Sequence, residues 1–330
     1  MDLIIDISLL LLLLVTACAG IFIRNLFAVV MVFGIYSLVC AAFFLVLDAP
    51  DVALTEAAIG AGIAPLLMLG TLAFTKRQQK PTSAHGIWLP LLVVSVTGAA
   101  LVYGTLDMPH FGALETPTRE HVAPRYIEES GTEIDVPNIV TSVLASYRGF
   151  DTLGEVFVIF TAGIGVISLL GVAGRNGTPS LNDMRQHLVL SVISKAMIPL
   201  LLLYGLYIQF HGDFGPGGGF QAGVIFAAGF ILYSMVYRLE NALQVVKPGV
   251  LLAVMAIGAL LYGGTGVAGM LLGGNFLDYN VLDHHDPVHG QHLGIILVEA
   301  GVGLTVAAVM MTLFFSFSWQ ITTQELEEGE

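Results

Sequence analysis

Four ionisable residues stand inside stretches otherwise apolar enough to span a bilayer: Glu56, Glu155, Lys195 and Glu299. A charge near the membrane centre costs at least ~2.5–3.5 kcal/mol on insertion scales, so each needs a partner, a water-filled cavity or a function. Three acids and one base of this kind suit an ion or proton route. Lys195 lies about seven residues into its run, roughly 10 Å deep at 1.5 Å per residue, and Glu299 is at a similar depth in the last run. A Lys195 pair with Glu155 or Glu299 would couple protonation to charge movement, because burial disfavours the charged form of both partners. Pairing with another chain is the alternative, and the long lysine stem can also snorkel to the interface.

Two of the acids have structural competitors. Before Glu56 runs Ala49-Pro50-Asp51-Val52-Ala53-Leu54-Thr55, in which Pro50 ends the preceding element and Asp51 fits an N-cap. Glu56 is about one and a half turns further on, too deep for capping, and shares a face with Gly60 and Ile63. Gly60, Gly62 and Pro65 weaken the helical ladder, so close packing with Glu56 bonded to a neighbouring helix stands beside ion handling. Glu155 closes Thr152-Leu153-Gly154-Glu155, a capping-box pattern that predicts a helix start near the interface.

Two loops carry further titratable groups. In His211-Gly212-Asp213-Phe214-Gly215-Pro216-Gly217-Gly218-Gly219-Phe220 the glycines permit unusual backbone conformations, with His211 and Asp213 beside them. A tight hairpin explains the same string. In Asp283-His284-His285-Asp286-Pro287-Val288-His289-Gly290-Gln291-His292 the i, i+4 histidines suggest metal, but Pro287 and Gly290 argue against a regular helix. No cysteine joins them, so hydrogen bonding or proton buffering is expected there rather than a metal centre.

The elements that must position these groups follow from composition. Of the 330 residues, 56% are hydrophobic and 11% charged, where a soluble domain carries about 25% charged. The apolar residues come in runs of about 20, long enough to cross ~30 Å of hydrocarbon as helices. The alternation required by a membrane β-barrel is absent. The expected fold is therefore all-α, a polytopic helical membrane bundle. About nine spans are predicted, near Leu3–Ile23, Leu26–Leu47, Val52–Thr75, Ile87–Leu106, Thr152–Val172, Leu188–Phe210, Phe220–Tyr237, Val250–Leu272 and His292–Phe317. A proline- and acid-rich connection over 107–151 separates a four-helix front (1–106) from a helix at 152–175 and a four-helix rear (176–330).

Basic residues set an expected orientation. Arg24, Lys76, Arg77, Lys80, Arg175, Arg185, Arg238 and Lys247 fall on one side of that arrangement, against Arg119, Arg125 and Arg148 on the other. The positive-inside rule then puts the amino terminus outside and the carboxyl terminus in the cytoplasm. Val15-Thr16-Ala17-Cys18 superficially matches a lipoprotein cleavage site. The acidic start (Asp2, Asp6) lacks the positive region of an export signal, so a retained span is expected. Cys18 and Cys40 read as apolar filler. The net charge of −13 suits solubility and argues against nucleic acid. No Walker A string, dinucleotide fingerprint or cluster-binding cysteine set occurs, so no cofactor is expected. Ion gradients would supply the energy, at ~2.3 kcal/mol per charge per 100 mV.

Three strings together resemble a known family. Tyr147-Arg148-Gly149-Phe150-Asp151-Thr152-Leu153-Gly154-Glu155 is similar to the RGFDTLGE motif in the carboxyl-terminal part of the A subunit of Mrp-type cation/proton antiporters. Pro50-Asp51-Val52-Ala53-Leu54-Thr55-Glu56-Ala57 resembles a segment of small subunits of the related membrane-bound hydrogenases. Pro216-Gly217-Gly218-Gly219-Phe220, with Lys195 and Pro199-Leu200-Leu201 before it, resembles the B subunit. The implied order is an A-subunit tail, about residues 1–175, fused to a B subunit, about 180–320.

The resemblance implies a multi-pass subunit of an Na⁺/H⁺ antiporter in a bacterial or archaeal cell inner membrane, a secondary transporter rather than an enzyme. Its partners would be other Mrp-type subunits, including proton-channel subunits related to respiratory complex I, together with lipid, Na⁺ and H⁺. The family's large channel domain has no counterpart here, so this chain alone is not expected to exchange ions. By position, Glu56, Glu155 and Lys195 become candidates for a cation or proton path at subunit interfaces. Glu299 enters on depth, and Asp51, His211 and Asp213 by proximity. The alternatives are the same module in a redox-driven complex such as a hydrogenase, and a passive scaffold.

Overall fold

Backbone groups in hydrocarbon must be satisfied within their own segment, and the apolar runs meet that requirement as helices. The computed structural model describes residues 2–73, 75–80, 87–110, 112–174 and 188–329. Among them, nine helices are long and apolar enough to cross a membrane. They are α1 (Asp2–Phe22), α2 (Leu26–Val46), α3 (Pro50–Leu72), α4 (Trp88–Thr105), α5 (Gly149–Leu170), α6 (Leu188–His211), α7 (Gly219–Tyr237), α8 (Pro248–Leu271) and α9 (Pro287–Gly329). No strand occurs among the described residues; an isolated bridge joins Asn25 to Gln78. The expected all-α membrane bundle is the observed fold. Arg175, Arg185 and Glu330 lie outside the described residues.

The core gathers around α9, which packs on α8, α7, α5 and α3. Ile295, Val298, Val306 and Phe315 of α9 are buried with Met255 and Tyr262 of α8. Lipid offers little hydrophobic drive for helix pairing, so close backbone approach at small residues supplies the contact. A Cβ at Gly219 would collide with the Glu299 carbonyl, and one at Gly223 would lie 2.7 Å from the Gly303 oxygen. A Cβ at Gly258 would come within 2.6 Å of the Gly301 oxygen. By contrast, the most apolar windows of α1 and α4 bury none of their residues.

Three helix details correct the sequence pattern. First, α5 begins at Gly149, so Thr152 is inside the helix and its Oγ1 donates to the Leu144 carbonyl at 2.8 Å. The capping box with Glu155 is not formed. The π-helical segment Ser142–Tyr147 leads almost directly into α5, and an Arg148–Asp151 ion pair (2.6 Å) occupies its first turn. Second, α9 begins at Pro287, five residues earlier than the pattern suggests. A first helical residue needs no amide, so Pro287 opens the helix, and the Gly290 amide bonds the Asp286 carbonyl at 3.0 Å. Third, the middle of α3 is a π segment, Ala57–Ile63, just before Pro65. Pro65 has no amide to donate, and a locally wider turn accommodates the break.

Candidate functional site

The loop between α6 and α7 is held from two sides. Gly218 sits at φ +110, a conformation that side-chain-bearing residues rarely adopt. From the 107–151 connection, Asn138 Nδ2 donates to the carbonyls of Gly212 (3.0 Å) and Gly215 (2.9 Å), and Thr141 Oγ1 donates to that of Gly212 (2.7 Å). From α3, Asp51 Oδ1 accepts the Gly217 amide at 3.2 Å. Gln221 Nε2 donates to Thr55 Oγ1 (2.8 Å), and that hydroxyl donates to the Asp51 carbonyl (2.8 Å). Asp51 is therefore not an N-cap. Ala49 holds that position without a side-chain bond, and the buried Asp51 carboxylate is engaged across the fold instead.

Behind this loop lies a cavity of about 260 Å³. Its wall includes Asp51 and Thr55 of α3, Thr152 and Glu155 of α5, the Gly217–Gly219 backbone, Tyr262 of α8 and Glu299 of α9. Carboxylates from three different helices thus line one cavity. The Glu299 carboxylate lies between loop glycines: a Cβ at Gly212 would be 3.3 Å from its Oε2, and one at Gly218 would be 3.2 Å from its Oε1. Glu299 is about 12 residues from the start of α9, or ~18 Å along it, deeper than the sequence suggested. Tyr262 Oη donates to the Gly149 carbonyl (2.7 Å) and fixes the start of α5 at the cavity wall.

At ~30 Å³ per molecule, such a volume admits several waters. Carboxylates sharing it repel one another, and a proton or a monovalent cation offsets that repulsion. Hydroxyl and amide oxygens of Thr55, Thr152 and Gln221 add neutral ligands of the type that replace an alkali cation's hydration shell. The arrangement can hold a cation, pass a proton, or exchange one for the other.

Other predicted residues lie elsewhere. Glu56 turns toward α2: a Cβ at Gly60 would be 2.5 Å from Glu56 Oε1 and 2.6 Å from Ser37 Oγ. Lys195 is exposed on α6 and makes no ion pair among the described residues, so the expected pair with Glu155 or Glu299 does not form within them. His211 stacks on Tyr207, with ring centroids 4.9 Å apart. Asp213 is buried and takes His292 Nε2 at 2.7 Å. Sequence reasoning missed Asn138, Thr141, Gln221 and Tyr262, and named His292 only within the loop expected to hydrogen-bond or buffer protons, without tying it to Asp213. The available signal for His292 was its seven-residue offset from Glu299, two turns along one helix face.

Groups outside the spans show how local charge is arranged. The Tyr147 hydroxyl is pushed up to about 12 by burial and by its hydrogen bond to Glu133. That bond, reinforced by Arg125, holds Glu133 below its ordinary value. The Asp283 carboxyl is likewise lowered, chiefly by His289 and then by the amides of His285 and Asp286. No grouping of three or more metal-ligating side chains occurs among the described residues.

Residues 189–312 match a family model described as a domain related to the MnhB subunit of Na⁺/H⁺ antiporter. The putative antiporter subunit mnhB2 of Staphylococcus aureus (strain Newman) is 35% identical over 132 residues, which cover 39% of this chain and 93% of that protein. The chain belongs to this antiporter-subunit family. Its earlier parts match two further models, MbhD, the D subunit of MBH, over residues 11–77 and MbhE, the E subunit of MBH, over 92–187. A probable K(+)/H(+) antiporter A/B subunit of Rhizobium meliloti (strain 1021) is 28% identical over 308 residues, 84% of this chain; the chain spans 30% of that protein's length. The fold also matches the structure of the Mrp complex from Dietzia sp. DQ12-45-1b, with TM-score 0.76 and 25% identity. That match covers 94% of this chain and 34% of the other. The order is that of an A-subunit tail joined to a B subunit.

In this antiporter subunit the cavity draws on all three matched segments. Asp51 comes from the MbhD-like part, Glu155 from the MbhE-like part, and Glu299 with the glycine loop from the MnhB-related part.

Proposed function

We propose that this chain lines a pathway for a monovalent cation or a proton within a multisubunit cation/proton antiporter, with the Asp51–Glu155–Glu299 cavity as a station on it. The presence of three carboxylates in the wall of one cavity, large enough for several waters, inside a membrane helix bundle carries the reading. The chain works as a secondary-transporter subunit, powered by ion gradients, beside separate proton-channel subunits. The basic residues support a placement in which the α6–α7 loop faces outward and the carboxyl terminus faces the cytoplasm. Glu56, turned toward α2, and Lys195, exposed on α6, are not among the residues lining the cavity.

The test is cation-dependent proton movement in vesicles containing the assembled complex. Glu155→Gln and Glu299→Gln, each checked for assembly on a native gel, are expected to lower the rate at least ~10-fold, or ~1.4 kcal/mol of barrier. Wild-type rates in both variants would remove the cavity from the pathway. The MbhD and MbhE matches favour a second reading, the same module in a redox-driven pump. Iron–sulfur or nickel subunits in a mild-detergent purification would select it; antiporter subunits alone would select the first.

A further inference from the structure

His292 and Asp213 form a pair that the cavity does not itself contain. His292 Nε2 lies 2.7 Å from Asp213 Oδ2, with 45% of the His292 side chain exposed and 12% of Asp213. One end of the pair thus meets solvent and the other is sealed in the fold. His292 and Glu299 stand two turns apart on α9, so their side chains lie on one face about 10 Å apart along the axis. Asp213 adjoins Gly212, whose Cβ position is 3.3 Å from Glu299 Oε2, and Asp51 bonds the same loop at Gly217 and lines the cavity with Glu299. The order from solvent inward is imidazole, buried carboxylate, cavity carboxylate.

We propose that His292, oriented by Asp213, is the proton port of the cavity, loading and unloading Glu299 from the loop side of the bundle. The inference rests on the pathway reading above and adds the entry point and the nature of the transferred ion there. In the inward step a proton from water adds to His292 Nδ1, which has no protein partner among the described residues. The Nε2 proton passes to Asp213 Oδ2, leaving the imidazole neutral as its other tautomer. Asp213, now a carboxylic acid, gives its proton through water to the Glu299 carboxylate and returns to its charged form. When the ring swings away from Asp213, solvent water takes the Nδ1 proton and returns one to Nε2, which restores the first tautomer, so one net proton has moved inward and every other bond is as before. Histidine suits the port because its ordinary pKa lies close to physiological pH.

Other titratable groups around the pair have separate engagements. His289 is bound to Asp283 on the solvent side at 2.9 Å, and His211 stacks on Tyr207. Tyr147 and Tyr279, from the two short segments packed on the start of α9, bond to Glu133 and to the Ala145 carbonyl. On the cavity side stand Asp51, Glu155 and Glu299. Of these, Glu155 is exposed on α5 and lines the cavity from the other wall, whereas the His292–Asp213 pair approaches Glu299 along α9 from the loop side.

The experiment uses the assembled complex in vesicles and compares wild type with His292→Gln, which keeps a hydrogen-bond donor but cannot titrate. The expected result is proton flux lowered at least ~10-fold, within what a positioned proton-transfer group contributes. The loss should be restored by millimolar imidazole in the medium, with the apparent affinity for the cation unchanged. Wild-type flux in His292→Gln, or a loss that imidazole does not rescue, overturns the proposal. If this variant does not assemble, the wild-type complex is treated with diethyl pyrocarbonate and modification at His292 is read by mass spectrometry. Full modification without loss of flux likewise overturns it. Glu155→Gln and Glu299→Gln in the same vesicles separate the two ideas. Normal transport in those variants removes the pathway itself, whereas their failure beside a normal His292→Gln removes only the port.

Discussion

Asp51 illustrates how one carboxylate can be diverted from a local to a tertiary task. It bonds the Gly217 amide in the buried loop, so Asp51→Ala leaves that amide without a partner. The expected cost is ~1–3 kcal/mol, the penalty for an unsatisfied buried donor, read as a lower melting temperature of the purified complex. Glu133 gives a pH dependence with a definite sign. Its folded pKa is depressed, mainly by Tyr147, so its contribution to stability is present above the ordinary carboxylate value and is lost as pH falls through the folded value. Tyr147→Phe should move the Glu133 midpoint upward, toward ~4.3, in an NMR titration, and so move the loss to higher pH. An unchanged midpoint would show that Arg125 alone sustains the shift. The effect on stability is small, because Arg125 and Glu133 are largely solvated.

At the scale of elements, the glycine seams that bring α7 and α8 onto α9 fix which residues face the cavity. Gly219→Ala would drive a methyl group into the Glu299 carbonyl, on the residue that supplies a cavity carboxylate. Overpacking of this kind costs ~1–3 kcal/mol or more and should reduce both assembly and transport. Gly264→Ala is the matched control, because nothing lies within 4 Å of its added Cβ; it should leave both intact. Equal losses in the two variants would mean that helix backbone, and not the seam, is responsible. Asp51, Thr55 and Glu56 all lie in the regular α turns before the π segment, where Asp51 and Thr55, four residues apart, share the face toward the loop and Glu56 turns toward Ser37.

Over the whole molecule, the front and rear parts are joined by hydrogen bonds that span large sequence distances. Asn138 and Thr141 clamp the Gly212–Gly215 turn, Tyr262 holds Gly149, and Tyr279 holds the Ala145 carbonyl at 2.9 Å. Residues 1–187 and 188–330 expressed together as two chains should therefore co-purify. The double variant Asn138→Ala, Thr141→Ala should reduce their recovery together. Independent elution of the wild-type pieces from a mild-detergent column would show that the covalent link, and not these contacts, holds the parts together.

The amino-acid sequence by itself determined the membrane-spanning helical class, because run length against hydrocarbon thickness is a one-dimensional quantity. It also carried the family, through three strings in a fixed order, and marked Glu299 by its depth and Glu155 by its place in one of those strings. Only the tertiary structure decided that these two line one cavity with Asp51 while Glu56 and Lys195 do not. Helices that are apolar all round carry almost no signal for which face turns inward. Facing is set instead where Gly219, Gly223 and Gly258 let backbones touch α9, and by bonds such as Asp51 to Gly217 that no local pattern encodes. The starts of α5 at Gly149 and α9 at Pro287 were misplaced for the same reason. Local capping rules weigh a helix end alone, whereas here the chain before each helix is held against the rest of the bundle.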